Sequence, residues 1–381
     1  MAVEIGTASN ARDLVSKLEK FLTTNPELVK ANQAWEVIKD SDGGDELAYV
    51  YEDNFDWSAG YSGWTFRRTF IGRGLDGEDV IVVPMGLYVN RRYPANTLCA
   101  LYATQDSKGD DFIVNLKKIK FKGKNDPFMA SIPLRDDEMS YWFVANGRRF
   151  IIVAKVMGRY LSMYCGYMLQ FGTDLENPYP MYIGGSWHQY LAALLTEQEW
   201  DAATDSTSEK SKSYRRSYER GAYGGGLHDP IYGSRAGTLF YNTSSSCFCN
   251  TPSNRVARLI VEYDRLYSYE KSYAEVAAFT NGFLLPYRYV REGGRRDDRV
   301  KEEVQYPFTP SGKYALQPIE VLVGETTASE EWSTVGWLQG VYFVSGESNT
   351  PEKELIIGDK RYLCFPSMNI KNNRWFALLM E

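Results

Sequence analysis

Histidine is nearly absent from this chain. Only His188 and His228 occur among 381 residues, in the unrelated settings "SWHQY" and "GLHDP". Neither has a histidine at i, i+4 or paired cysteines beside it, so no zinc-ligand spacing is present and no Ser-His or Cys-His couple is marked. Cysteine is also scarce. Cys99, Cys165, Cys247, Cys249 and Cys364 make an odd number spread over a long chain, unlike the dense, even set of a secreted disulfide framework. Basic charge is not in excess either: 43 Lys and Arg against 49 Asp and Glu leave a net charge of −6. Bulk nucleic-acid binding needs clustered cations to displace phosphate counterions, so no nucleic-acid partner is expected. No run approaches the roughly 20 apolar residues that span a bilayer. The start "MAVEIGTASNARDLV" lacks the basic and apolar regions of a signal peptide. Synthesis in a cytoplasm, with no membrane partner, is the expectation.

Nucleotide and acyl-transfer signatures are missing as well. There is no G-x-x-x-x-G-K-[ST] loop and no G-x-S-x-G elbow. "GRGLDG", Gly72 to Gly77, has the spacing of a dinucleotide fingerprint, but strand-like "EDVIVVPMGLYV" follows where a helix must receive the pyrophosphate. It reads as a turn between strands. No catalytic, cofactor-binding or metal-binding residue is assigned. Paired carboxylates near aromatics are the remaining route to an enzyme, as a glycosidase uses two acids. "EDNFDW" (Glu52, Asp53, Asp56, Trp57) and "RDDEMSYW" (Asp136, Asp137, Glu138, Trp142) supply those ingredients, although acid-rich turns beside strands are commonplace.

Aromatics, by contrast, are abundant. Twenty-eight Tyr, 18 Phe and 9 Trp favour strands and extended contact surfaces. The predicted fold class is mainly β (α+β): an N-terminal amphipathic helix, then antiparallel sheets or sandwich-like units with a long irregular insertion. Residues 1–34 form the helical segment, with Ser9 or Asn10 as cap, Asp13 in the first turn, and Leu14, Val15, Leu18, Phe21 and Leu22 as the apolar stripe. The helix stops before Pro26. Residues 35–187 are a β-rich domain. Within it, "FIVNLKKIKFKGK" alternates as a half-buried strand does. "YWFVANGRRFIIVAKV" reads as a hairpin whose Asn146-Gly147 suits a type I′ turn, with Arg148 and Arg149 at a polar tip where one pairs with an acid on a neighbour.

Residues 188–254 are an irregular Gly-, Ser- and Tyr-rich insertion or docking segment. Tyr214, Tyr218, Tyr223 and Tyr232 are candidate interface anchors, with a polar loop carrying incidental tyrosines as the alternative. "CFC", Cys247 and Cys249, sits in a Ser-rich stretch where a disulfide to a neighbouring subunit is conceivable. Residues 255–381 are a second β-rich unit that can pack with 35–187 as one body. In it, Gly358-Asp359 suits a type II′ or I′ hairpin and "RWFALLM" ends the chain on an apolar strand.

Several blocks in order, "IGTASNARDLVSKLEKFLTTNPELVKANQAWEVI", "GRGLDGEDVIV", "YWFVANGRRFIIVAKV", "LENPYPMYIGGS", "LQGVYFVSG" and "IIGDKRYLCF", resemble a family of tailed-bacteriophage virion structural proteins. The similarity runs from residue 5 almost to the end, except for about 190–285. No block is a catalytic signature, and the family carries no assigned activity, so no functional residue transfers. The resemblance implies a non-enzymatic structural subunit of the virion, in the neck (collar), tail or baseplate. Its partners would be itself, as a symmetric ring or homo-oligomer, and other virion proteins. The N-terminal helix and the 190–250 segment are the candidate docking elements. A receptor- or carbohydrate-binding virion module is the alternative, and a tail-associated glycan hydrolase a third reading.

Overall fold

A computed structural model of the protein describes residues 1–41, 62–76, 81–90, 95–100, 130–171, 181–185, 246–249, 256–260, 279–285, 289–291, 300–302, 316–324, 332–346, 349–366 and 374–381. The architecture is mostly β with antiparallel sheets and an N-terminal helical pair. The chain enters as a strand, β1 (Ala2–Ala8), then forms α1 (Ala11–Thr24) and α2 (Pro26–Lys30). A five-stranded antiparallel sheet follows in sequence order: β2 (Glu36–Ser41), β3 (Ser62–Gly72), β4 (Ile81–Asn90), β5 (Ala95–Ala100) and β6 (Ala130–Leu134).

The remaining strands are β7 (Met139–Asn146), β8 (Arg149–Val156), β9 (Arg159–Tyr167), β10 (Leu169–Gln170), β11 (Met181–Gly185), β12 (Ser246–Cys249), β13 (Val256–Ile260) and β14 (Phe279–Leu285). Then come β15 (Tyr289–Arg291), β16 (Val300–Glu302), β17 (Gln317–Gly324), β18 (Trp332–Ser345), β19 (Lys353–Ile357), β20 (Lys360–Pro366) and β21 (Arg374–Leu379). Apart from the β15-β16 ribbon, they join β1 in a large sheet ordered β1-β7-β8-β9-β11-β12-β13-β14-β17-β18-β21-β20-β19. The short β10 leaves β9 and pairs with β18, so the sheet closes on itself through that contact. Gly336 permits the closure, because a Cβ there would stand 2.4 Å from the Leu169 carbonyl oxygen.

Strands β7, β8 and β9 form the middle layer, since successive side chains of a strand point to opposite faces. Toward one side, Phe143 meets Phe21 of α1, and Phe150 packs edge-on against Trp35 and tilted against Phe70 of β3. Toward the other, Trp142 packs edge-on against Phe365 of β20 at 5.0 Å and close to Tyr160. Apolar residues on both faces explain why β7 to β9 read as near-continuous hydrophobic runs rather than alternating ones.

Helix α1 forms as its sequence dictates. Asn10 caps it, with Oδ1 accepting from the Asp13 amide at 2.8 Å, while the Ser9 amide donates back to Asp13 Oδ2. Leu14, Val15, Leu18, Phe21 and Leu22 are buried as expected. Asn25 ends α1 and caps α2, whose first residue is Pro26. Two expectations change. The segment 1–34 opens with a strand, since Ala2–Ala8 pairs in register with β7. The apolar stripe of α1 is spent on the protein's own core, so that face of the helix is not a docking surface.

Candidate functional site

The hairpin β7-β8 exists, but its turn is built differently from the expectation. Asn146 pairs with Arg149, which leaves Gly147-Arg148 as the two-residue loop. No residue of it has positive φ, so a type I′ turn is excluded. The Asn146 side chain closes the turn, with Oδ1 accepting from the amides of Arg148 (2.9 Å) and Arg149 (3.0 Å). The positive φ angles appear one hairpin later, at Met157 (50°) and Gly158 (76°) between β8 and β9. At Gly358-Asp359 only the glycine has positive φ, 65°, which is the type II′ pattern.

Gly147 is glycine for want of space. The "GRGLDG" turn, which does lie between β3 and β4, docks onto it: the Gly74 amide donates to the Gly147 carbonyl at 3.0 Å. Trp35 Nε1 donates to the Asn146 carbonyl at 2.9 Å, and Gln33 Oε1 accepts from the Gly147 amide. Arg73 forks onto Glu36 beside this junction. Three blocks of the chain far apart in sequence thus interlock around one turn.

Arg148 and Arg149 part company there, and the polar-tip reading is corrected for the second. Arg148 is half-buried, with its guanidinium over the Tyr167 ring at 5.7 Å. Arg149 is only 6% exposed, because on β8 it faces the layer that carries β18. Its Nη1 donates to Gln339 Oε1 at 2.6 Å, and Nη2 lies 3.9 Å from Met1 Sδ. Gly340, at φ 77°, leaves room for Nη2, since a Cβ there would stand 3.2 Å away. Tyr164 lies alongside, donating its own hydroxyl to the Tyr167 carbonyl. Burial lowers the Arg149 pKa, and Tyr164 and Tyr342 act against it. Burial also pushes the Tyr164 phenol up to about 12. Among the described residues no carboxylate pairs with Arg149.

A second polar cluster marks the other end of the same β8 face. Lys155 Nζ is 2.8 Å from Glu352 Oε1, and the Tyr160 hydroxyl donates to the same oxygen. Glu352 adopts φ 64°, a conformation that costs a residue with a Cβ roughly 1–2 kcal/mol. Burial works to raise the Glu352 pKa, but the hydrogen bonds from Lys155 and Tyr160 win and hold it below the usual carboxylate range. The hydrogen bond to Glu352 raises Lys155.

Compared with protein-family models and with curated proteins, the chain matches none. Its chemistry is therefore read from these contacts.

The other candidates separate clearly. Asp136, Asp137 and Glu138 are exposed, with Asp137 taking the Arg135 guanidinium at 2.8 Å. Trp142 is buried beneath Phe365, so it offers no sugar platform beside them. Cys247 and Cys249 lie in β12, which pairs with β11 on one edge and β13 on the other, inside the stretch expected to be irregular. Cys165 and Cys364 are buried free thiols, and burial raises both, Cys364 to about 12. Tyr214, Tyr218, Tyr223, Tyr232, His188, His228, Glu52, Asp53, Asp56, Trp57 and the lysine-alternating run 112–124 lie outside the described residues. No helix among the described residues is long and apolar enough to cross a membrane. Nor does any group of three or more His, Cys, Asp or Glu gather there as a metal site.

One surface feature carried no motif. Strand β19 is the last in the order of the large sheet. It leaves Ile356 71% and Ile357 42% exposed. Neighbouring residues on a strand point to opposite faces, so each side of this edge carries one isoleucine at its tip, paired across the strands with Arg361 and Lys360.

Proposed function

We propose that the protein is a non-enzymatic structural subunit of a tailed-phage virion, assembling into the neck, tail or baseplate through contacts with copies of itself and with other virion proteins. The observation that carries the reading is the β19 edge. Soluble proteins blunt sheet edges with charge, proline or bulges, because free N–H and C=O groups template pairing with another chain. Here the outermost of the described strands carries Lys353 and Glu354 at its start but ends on two exposed isoleucines, which suits burial against a neighbouring subunit. Four of the sequence blocks that resemble the virion family, through Gln33 and Trp35, Gly74, Asn146 to Arg149, and Gln339, meet around the β7-β8 turn, as parts of one scaffold would. An antibody to the chain is expected to label purified particles at one axial level, and an image reconstruction to show the subunit in a symmetric ring. Particles that lack the protein overturn the proposal.

A receptor- or carbohydrate-binding role on the same particle is separated from it by protease protection of residues 205–250. An interface segment is cut in the isolated subunit and protected in the particle, whereas a receptor loop is cut in both.

A further inference from the structure

We infer that Arg149 is the cationic floor of an oxyanion site, receiving a carboxylate or phosphate group between Gln339 and the Met1 side chain. A guanidinium carries five N–H donors and a full positive charge. Arg149 directs one donor to a neutral amide oxygen, Gln339 Oε1, and turns Nη2 to the thioether of Met1, a weak acceptor. At 6% exposure the guanidinium is largely withdrawn from water. A buried cation without an anion is costly, and a fold that retains one calls for a counter-ion. The planar fork of arginine matches two oxygens of one oxyanion, which selects this ligand class over a neutral one.

The surroundings fit. Gly340 keeps the Nη2 side clear of a side chain. Tyr164 donates its hydroxyl to the Tyr167 carbonyl and accepts from the Gln339 amide at 3.4 Å, so it brings no negative charge to the guanidinium. Met1, 46% exposed, is the cover that a ligand displaces. At the opposite end of the same strand face, Lys155 has a carboxylate of its own in Glu352, whereas Arg149 has none among the described residues. The inference stands whether or not the chain is a virion subunit.

The test uses Gln339→Glu, which keeps the shape of Gln339 and places a carboxylate beside Nη1, together with Arg149→Met. Thermal melting of the full chain is followed with sodium phosphate or sodium acetate against sodium chloride at equal ionic strength. Wild type is expected to gain about 2 °C or more from the oxyanion by linkage. Gln339→Glu is expected to melt higher than wild type without added oxyanion, and both variants to lose the response. A rise in wild-type melting temperature with protein concentration, lost in the same variants, assigns the oxyanion to an acidic group on another copy rather than to free solute. The proposal is overturned if wild type shows neither response, if the responses persist in both variants, or if Gln339→Glu melts lower than wild type.

Discussion

The Gly74 amide donates to the Gly147 carbonyl at 3.0 Å, joining the β3-β4 turn to the β7-β8 turn. The approach leaves no room for a side chain: a Cβ on Gly147 would stand 1.7 Å from the Gly74 carbonyl oxygen. Gly147→Ala is therefore expected to destabilise the protein by about 3 kcal/mol, from overpacking against backbone that cannot rotate away. Gly147→Asn should be no better, although asparagine tolerates positive φ, because the constraint is space. Gly158→Ala is the control. Nothing lies within 4 Å of a Cβ there, and only φ 76° is at issue, so the cost is about 1 kcal/mol. Urea midpoints of the three variants check this; equal costs for Gly147→Ala and Gly158→Ala would refute it.

Arg68 of β3, 4% exposed, holds Glu19 of α1 at 2.9 Å between Nε and Oε2. This ion pair ties the helix to the five-stranded sheet. Glu19→Gln is expected to cost about 2 kcal/mol, because the buried guanidinium loses a charged partner. Replacing both residues, as Glu19→Leu with Arg68→Met, should cost less than Glu19→Gln alone. A double variant as unstable as the sum of its single changes contradicts this account.

The Lys155–Glu352–Tyr160 cluster sets a pH window. Glu352 is depressed in the folded state, so its contribution is present above the ordinary carboxylate pKa and is lost as pH falls through the depressed value. Lys155 is raised, so its contribution holds below the ordinary lysine pKa and fades as pH rises through the raised one. Both ends of the pair are about two-fifths exposed, which limits it to about 0.5–1 kcal/mol between roughly pH 5 and pH 10. Glu352→Gln should flatten stability at those two edges. Glu352→Gly removes the pair but also releases the positive-φ strain at residue 352, so its net change at pH 7 is expected within about 0.5 kcal/mol. Chemical denaturation across pH reads both variants, and unchanged pH dependence in Glu352→Gln would count against the cluster.

What the sequence discloses follows from how local each feature is. Helix α1 was legible because its cap, its 3.6-residue stripe and Pro26 all lie within one stretch. The β7-β8 hairpin was legible from two strand-like runs around a turn signal, yet its turn type was not, since the docking of Gly74 decides it from 73 positions away. Strand β1 was hidden because "AVEIGTA" is short and weakly apolar, and pairing with β7 is what makes it a strand. Arg149 looked like a hairpin tip because arginine beside a turn usually faces water. The return of β18 over β8 and the Met1 side chain cover it, and no local pattern announces those contacts.

The β19 edge gives the assembly reading its sharpest consequence. Ile356 is 71% exposed, so Ile356→Lys removes little core packing, and its melting temperature should stay within about 1 °C of wild type. A charge at the tip of an outermost strand opposes pairing with another chain. If β19 meets a neighbouring subunit, the lysine variant folds normally but fails to enter particles, or enters at well under half the wild-type amount. Leu355, one position back and buried, supplies the contrast: Leu355→Lys should lower stability as well as incorporation. Incorporation is read by complementing particles with each variant and quantifying the subunit in the purified product. Normal incorporation of Ile356→Lys would remove β19 from the interface and leave the assembly proposal without its structural support.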